Sequence, residues 1–384
     1  MSVYAELSMV NNDLFSAQAL IGMARFFSGD TNSRPSNAFA SAAIRILHSL
    51  GIHKSKSHPN TNPIEMEQRR RIFWIAYAFD KEFSLRSGRP FMQIDDDIDV
   101  DLPSDHPGHN MSGTASRYGL APSNAEFIVF RAKCALAVLK SKIYRLLYSA
   151  HSWDKSEDEV LQTVTELEKE LDEWKTSLPY ALHPDHNVGH LPDQVLLYTL
   201  VMRFAYYHCA TVLHRRLWAY HRRGENAASP IKPDQASRPH RVVRSEELCM
   251  QAARQSIRLL KFIPPGWESF NCFILYYAAS SFMILFSYLL QNPQGSTFTA
   301  DLERMRSVQK FGLSMCSEDK EVRESSDFQK VITIMHGCEQ IVLQQQEKCS
   351  GDKRPPQSNQ EAFNEAMLNF GHDFEYFDFP EFGF

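Results

Sequence analysis

The sequence lacks the motifs that usually carry catalysis or bind a cofactor. Its seven cysteines are scattered over 384 residues, and no two of them form a CxxC pair. An odd number of widely spaced cysteines is typical of reduced intracellular thiols. We also find no Gly-x-Ser-x-Gly elbow, no phosphate-binding glycine loop and no dinucleotide fingerprint. The sequence therefore predicts no catalytic residue and no enzyme.

The chain also lacks an excess of basic residues. Its 41 lysines and arginines are outnumbered by 46 aspartates and glutamates, so the net charge is −5. Proteins whose main surface binds nucleic acid are usually strongly basic. We therefore assign no DNA-binding residue to this chain. Its first residues, MSVYAELSMVNND, lack the basic start and apolar core of a secretory signal.

One uncharged stretch, Phe270–Leu290, is long enough to cross a bilayer. Asn271 and several serines and tyrosines interrupt it, and charged residues are sparse on both sides. A core helix of a large helical domain has the same composition. We predict a core helix and no membrane partner.

Two clusters of polar residues suggest metal ligands, but neither has the required spacing. Five carboxylates lie within Asp95–Asp101, yet Leu102 follows where a calcium loop needs glycine. A Pro- and Gly-containing loop places His183, Asp185, His186 and His190 close together, without the regular spacing of zinc ligands. We predict no metal site and no cofactor in either cluster.

The periodicity of the apolar residues predicts an all-α fold, a large multi-helix domain of packed antiparallel helices with irregular loops. Residues 1–350 form this helical region in our interpretation. Residues 351–384 form a polar linker and a disordered C-terminal tail. Helices are expected at Leu14–Phe27, Asn37–Leu50, Pro63–Arg86, Ala125–Ser149, Ser156–Ser177, Pro192–Arg223, Glu246–Phe262, Ser269–Leu290, Ala300–Met315 and Asp327–Glu347. Gly224–Arg244 is expected to be an irregular loop.

The helix expected at Pro63–Arg86 has the clearest signals at both ends. Asn62, with Glu65 three residues later, has the spacing of a capping box, and Gly88 and Pro90 end the helix. Glu65–Arg69 and Glu67–Arg71 are each four residues apart with the acid first, which favours ion pairs along the helix. Phe73 and Trp74 open an apolar run that predicts burial on several sides.

The other charged residues of this region are also expected to pair within the chain. Arg70 completes the triple arginine, which is better explained by intramolecular pairing than by nucleic acid. Arg86 and Arg89 are expected to pair with Asp80 or with carboxylates of Asp95–Asp97. These residues form a structural motif in our interpretation.

Three segments together resemble a known family. RRRIFWIAYAFDKEFSLRSGRP, the preceding AFASAAIRILHSLGIHK and the following IDDDIDVDLP resemble the middle homology domain of fungal zinc-cluster transcription factors. The resemblance implies a nuclear regulator of RNA polymerase II transcription whose middle domain controls activity. In that family DNA and zinc are bound by a six-cysteine module that precedes the middle domain. This chain cannot build such a module, so zinc is expected only in a full-length relative.

The C-terminal segment Glu361–Phe384 alternates acidic and aromatic residues, which is typical of disordered activation segments. We expect a coactivator or the transcription machinery to bind it. The alternative is that the tail docks on the helical region. The predicted activation residues are Phe370, Phe374, Tyr376, Phe377, Phe379 and Phe382.

Two alternatives remain open at this stage. A helical enzyme or small-molecule carrier would hold an apolar ligand among Tyr206, Tyr207, Trp218, Tyr276 and Tyr277, although no acid, base or nucleophile accompanies them. A shortened regulator would instead form a dimer, pairing with a full-length relative and titrating it.

Overall fold

A computed structural model describes residues 6–28, 34–55, 62–105, 122–186, 188, 191, 193–228, 240–264, 268–314 and 327–351. These residues contain ten α-helices and no β-strand. The fold is all-α, as the apolar periodicity predicts. The helices are α1 (Leu14–Phe27), α2 (Arg34–Ser49), α3 (Pro63–Ser87), α4 (Pro122–Leu147), α5 (Glu157–Thr176), α6 (Asp193–Ala228), α7 (His240–Leu259), α8 (Glu268–Gln291), α9 (Phe298–Leu313) and α10 (Asp327–Gly351). Short helical turns occur at Glu6–Val10, Asp95–Asp97, Ala150–Asp154 and Leu260–Phe262.

Local end signals determine where several helices begin and end. At the start of α3, the Asn62 side chain accepts a hydrogen bond from the backbone N–H of Ile64 at 2.9 Å. Gly88 ends α3 in the left-handed conformation, with a φ of 63°, and Gly51 after α2 has a φ of 68°. Glycine is favoured at both positions because other residues adopt a positive φ at a cost.

A capping box precedes α5. Glu159 accepts hydrogen bonds from the backbone N–H and the hydroxyl of Ser156, both at 2.8 Å. In return, the hydroxyl of Ser156 accepts a hydrogen bond from the backbone N–H of Glu159 at 3.3 Å. This reciprocal arrangement satisfies donors that the first turn of a helix leaves without partners.

The expected irregular loop at Gly224–Arg244 is wrong at both ends. Helix α6 continues to Ala228, and α7 already begins at His240. One glycine inside a helix costs only about 1 kcal/mol, so Gly224 does not stop α6. Residues 229–239 lie outside the described part of the chain. Arg241 and Arg244 therefore lie in α7 and not in a loop.

The chain divides into two compact units, and the described residues of the first are 6–155 and 165–202, with the gaps given above. Within it, α1 packs against α2 and α3 packs against α4. A continuous core joins these four helices through Leu20, Leu47, Phe73, Tyr77 and Cys134. The core residues therefore come from α1, α4 and two of the three segments that carry the family resemblance, and partly buried Ile98, Val100 and Leu102 of the third segment pack against them.

The second unit contains residues 156–164 and the described residues from Arg203 onward. Helix α8 is its centre, because α7, α9 and α10 all pack against it. Tyr277, Phe282 and Phe286 of α8 are among the largest fully buried side chains. At Gly312 of α9, an added Cβ would collide with the Ile332 side chain of α10. A small residue therefore allows these two helices to approach closely.

Among the described residues, two segments are long and apolar enough to cross a bilayer by length and composition, Val195–Leu217 and Ile274–Gln291. In the most apolar window of each, 72% and 89% of the residues are buried inside the protein. A core helix passes the same composition test, and this burial is what a core helix needs. The run predicted at Phe270–Leu290 falls in α8.

The segment of residues 352–384 lies outside the described residues. The predicted linker and the predicted activation residues Phe370–Phe382 fall in it. The predicted division into a helical region (1–350) and a tail (351–384) stays a prediction.

Candidate functional site

Many of the charged residues singled out in the sequence lie around one irregular segment of the chain. We define the exit segment as residues 91–105, which follow the end of α3 at Gly88. Two groups of side chains from α3 and α4 hold it, one near residues 92–95 and the other near residues 101–104. The site is therefore best described as a structural clamp on this segment.

A buried lysine occupies the centre of the first group. The Lys81 side chain has no exposed surface, and its ammonium group lies 3.2 Å from Asp95 Oδ1 and 3.8 Å from Asp80 Oδ2. It also donates a hydrogen bond to the backbone carbonyl of Gln93. The ammonium group lies 3.9 Å from the centre of the Phe91 ring and 4.7 Å from that of Tyr77. Lys81 is thus enclosed by two carboxylates, a carbonyl and two aromatic faces.

Asp80 of α3 binds the start of the exit segment, and Asp95 attaches that segment to α3 and α4. Asp80 accepts hydrogen bonds from the backbone N–H groups of Met92 and Gln93, both at 3.0 Å. Asp95 accepts one from the Tyr77 hydroxyl at 2.8 Å and one from the Ser141 hydroxyl at 2.5 Å. A carboxylate with two donors is well satisfied in the interior, which is the condition for burying it.

The pKa values reflect this enclosure. Burial raises the pKa of Asp80, and the two backbone N–H groups and Lys81 offset only part of the effect. Burial lowers the pKa of Lys81, against the attraction of Asp80 and Asp95. Burial also acts to raise the pKa of Asp95, but hydrogen bonds from Ser141 and Tyr77 and the charge of Lys81 lower it overall. Hydrogen bonds and ion pairs within the protein thus replace most of the water contacts of these three charged groups.

The second group holds residues 101–104. Glu67 accepts hydrogen bonds from Arg71 Nε at 2.9 Å and from the backbone N–H of Ser104 at 3.1 Å. Arg71 in turn donates to the Ser104 carbonyl at 3.4 Å, and its guanidinium group lies 4.5 Å from the centre of the Phe127 ring. The Glu67–Arg71 pair therefore binds both polar groups of the Ser104 backbone.

Two further donors bind the same stretch. The Trp74 indole N–H donates to the Asp101 carbonyl at 2.7 Å, although the ring itself is buried. Arg131 of α4 donates to the carbonyls of Pro103 at 2.6 Å and Leu102 at 3.3 Å. The exit segment has no regular secondary structure from Ile98 to Ser104, and side chains satisfy several of its backbone groups.

The remaining residues of the motif are also placed. Both predicted pairs are confirmed, with Arg69 at 2.8 Å from Glu65 and Arg71 at 2.9 Å from Glu67. Arg70 lies 3.0 Å from Glu67. The Gly88 carbonyl accepts a hydrogen bond from Tyr144 at 3.2 Å.

The expected pairing of Arg86 and Arg89 with Asp80 or Asp95–Asp97 stays a prediction. Lys81 provides the cation for Asp80 and Asp95, and Arg145 lies 3.5 Å from Asp96. Lys81, Gln93 and Ser141 also belong to the site, although no sequence motif singles them out. A signal was available for Lys81, because it lies four residues after Tyr77 and seven after Trp74 on the buried face of α3.

The apolar run that Phe73 and Trp74 open in α3 is largely buried, as expected. Its most exposed member is Ile75, at 39%.

The chemistry of this site is structural. A catalytic acid or base must reach a substrate, whereas Lys81 and Asp80 are enclosed and already bound to the chain. In the described parts of the chain, no group of three His, Cys, Asp or Glu side chains is arranged to hold a metal ion. His183 and His186 stack on each other at 4.6 Å, and His186 stacks on Tyr180 at 3.8 Å. His190 lies outside the described residues.

The aromatic residues considered as a ligand pocket fill the interior of the second unit. The Phe204 and Tyr277 rings stack with centroids 6.0 Å apart, and the Tyr276 hydroxyl lies 3.4 Å from His208 Nε2. Tyr207 is also buried, and its ring packs edge-on against Tyr206 at 5.3 Å. These contacts are those of core packing. The Trp218 side chain lies outside the described side chains.

Residues 2–176 match the family profile described as the fungal specific transcription factor domain. This chain carries a fungal specific transcription factor domain. The whole clamp, from Glu67 on α3 to Ser141 on α4, falls inside the matched residues. The resemblance inferred from the three sequence segments is confirmed.

Curated relatives extend the similarity beyond that domain. The chain is 40% identical over 377 residues to the ABC-transporter-regulating transcription factor of Aspergillus fumigatus, which covers 95% of this chain and 40% of that protein. The protein of the same name from Aspergillus oryzae is 39% identical over 367 residues, covering 92% of this chain and 39% of that protein. The Fusaridione A cluster transcription factor of Fusarium heterosporum is 30% identical over 299 residues, covering 77% and 54%.

The chain therefore spans about two fifths of the length of its Aspergillus relatives. The similarity covers both units of the fold, because it extends well past residue 176. No solved structure gives a significant match to the chain.

Proposed function

We propose that this chain is the regulatory region of a fungal transcription factor that controls transcription by RNA polymerase II. The observation that carries this proposal is the family match over residues 2–176, together with relatives that are named as transcription factors. The enclosed clamp supports it, because its polar groups are used to fix the chain rather than to meet a substrate. The chain acts through interactions and not as an enzyme.

DNA binding and zinc binding belong to a module outside these residues. The net charge of −5 and the dispersed cysteines support the assignment of DNA and zinc binding to another module. The protein works in the nucleus, where its DNA target is. The names of the two Aspergillus relatives favour genes for ABC transporters as targets.

The tail Glu361–Phe384 supplies the activating contact in this proposal. Its aromatic residues provide apolar contacts to a coactivator, and its carboxylates keep them hydrated until the partner binds. The helical units provide the platform from which the tail is presented and controlled. A dimer with a second copy or a full-length relative is compatible with this role.

A reporter experiment tests the activating role. Glu361–Phe384 is fused to a foreign DNA-binding module, and transcription of a reporter gene is measured in a fungal host. We expect strong activation, and loss of most of it when Phe370, Phe374, Tyr376, Phe377, Phe379 and Phe382 are replaced by alanine. The matched control replaces Phe363 and the alanines Ala362 and Ala366 by leucine, outside the predicted set, and retains activation. A silent wild-type fusion at normal protein levels contradicts the assignment.

A further inference from the structure

The second unit contains a groove with an unusual charge for this acidic chain. It lies between one face of α7 with the turn that follows it and one face of α9, and it has a volume of about 660 Å³. Five of its lining residues are basic, and no lining residue is acidic. The basic residues are Arg254, Arg258, Lys261, Arg304 and Lys310.

Two of the five cations share a single carboxylate. Arg254 lies 2.6 Å and Arg304 2.9 Å from the oxygens of Asp301, whose side chain has no exposed surface. Thr297 accepts a further hydrogen bond from Arg254 at 3.2 Å. These contacts fix Arg254 and Arg304 in place, and they leave one positive charge uncompensated at that end of the groove.

The other three cations have no such partner. Arg258, Lys261 and Lys310 are exposed, and none of them has a carboxylate of the described residues within ion-pair distance. The groove also has apolar surface, provided by Ile257, Leu260 and Phe311. A ligand suited to this surface carries several negative charges and aromatic or aliphatic groups together.

We propose that this groove binds the chain's own acidic and aromatic segment, Glu361–Phe384. That segment has the matching chemistry, with six carboxylates, eight aromatic rings and no lysine or arginine. Paired opposite charges along a groove fix the register of a bound peptide, and aromatic side chains supply the buried area. Docking of the tail in the groove and activation by the tail are separate properties, and each is measured on its own.

The connection is long enough for this contact. Helix α10 ends at Gly351, and its Cys349 carbonyl accepts a hydrogen bond from Gln294 at 2.9 Å, beside the loop that leads into α9. From there, residues 298–311 of α9 extend about 20 Å. About 19 residues separate Gly351 from Phe370, and a random coil of that length has a root-mean-square span of roughly 25 Å. The aromatic part of the tail therefore reaches the groove.

Photocrosslinking in the full chain tests the proposal. Benzoylphenylalanine replaces Phe374, and the crosslinked peptides are identified by mass spectrometry. We expect crosslinks to residues 251–261 and 304–311. The groove variant R258E/K261E/K310E is expected to lower their yield by at least about tenfold, because like charges then face each other. A rise in ionic strength is expected to weaken the contact as well.

The control variant R45E/K54E/K169E changes the net charge equally at basic residues of the first unit and is expected to retain the crosslinks. Restoration of the crosslinks when the six tail carboxylates are changed to lysine in the groove variant supports direct pairing. If the groove variant does not fold, neutralising the tail carboxylates as amides tests the same contact from the other side. Crosslinks outside the groove, crosslinks that survive both changes, or crosslinks formed only between two copies overturn the proposal.

Discussion

The ammonium group of Lys81 lies 3.2 Å from the carboxylate of Asp95, and the Lys81 side chain is completely enclosed. Lys81 belongs to α3, whereas Asp95 begins the short helical turn of the exit segment. The contact therefore joins a core helix to a stretch that has little regular structure of its own. Removing water from two charged groups costs free energy. We therefore infer that the main role of this pair is to position the exit segment against α3.

Replacing Lys81 by methionine is expected to destabilise the protein by about 3–5 kcal/mol, because Asp80 would stay buried, and Asp95 partly buried, without their cation. Urea unfolding of the full chain measures the change. The control is Lys142→Met, which removes a half-exposed pair with Glu170 at 2.6 Å. That pair is expected to contribute less than about 1 kcal/mol. Equal losses in the two variants would contradict a special role for Lys81.

Arg71→Lys and Arg69→Lys make a matched comparison. Arg71 binds Glu67 and Ser104 and lies over Phe127, whereas Arg69 pairs with Glu65 on the helix surface. Lysine cannot reproduce the planar fork, so Arg71→Lys is expected to cost about 1–2 kcal/mol and Arg69→Lys less than about 0.5 kcal/mol. Hydrogen exchange of the Ser104 amide should accelerate only in the Arg71 variant. Unchanged exchange would show that Arg71 does not hold the segment.

Acid should destabilise the second unit through His214. Burial, with a smaller effect from the charge of Arg244, lowers the pKa of this histidine to about 4. An unfolded histidine has a pKa near 6.5. Above that pH the imidazole is neutral in the folded and the unfolded state, so its protonation does not lower the stability of the protein. As the pH falls from about 6.5 to about 4, the unfolded state takes up the proton before the folded state does. The free energy of unfolding then decreases by up to about 3 kcal/mol.

The comparison of wild type with His214→Gln isolates this effect. Burial is also the main cause of the lowered pKa values of His48 and His53. Acid therefore destabilises the protein through these two histidines as well, and it does so in the wild type and in the variant alike. Thermal unfolding between pH 7 and pH 4 should show a flatter stability profile for the variant. Parallel profiles would exclude His214 as a source of acid sensitivity.

The capping box before α5 provides a local test. Ser156→Ala removes the hydroxyl that accepts from the Glu159 N–H and is expected to cost about 1 kcal/mol. Glu159→Gln keeps an acceptor for the Ser156 N–H and should cost less, since glutamine also completes such boxes. Denaturant unfolding distinguishes the two. A larger loss for Glu159→Gln would assign the stabilisation to charge rather than to capping.

Signals that act within a few residues were readable from the sequence. Asn62 and Gly88 mark the ends of α3 because capping depends on local hydrogen bonds and on glycine's access to positive φ. The Glu65–Arg69 and Glu67–Arg71 pairs followed from the helical repeat alone. Gly224 misled the interpretation because a single glycine weakens a helix without ending it.

The sequence by itself determined the helical class, most helix boundaries and the family, since periodicity, caps and three short segments carry that information. Only the tertiary structure decided which cation Asp80 and Asp95 bind, because Lys81, Ser141 and the exit segment are brought together by the packing of α3 against α4. It alone also placed five basic residues from α7, α9 and the turn between α7 and α8 around one groove. Contacts between distant residues depend on how helices pack, and local sequence patterns do not encode that geometry.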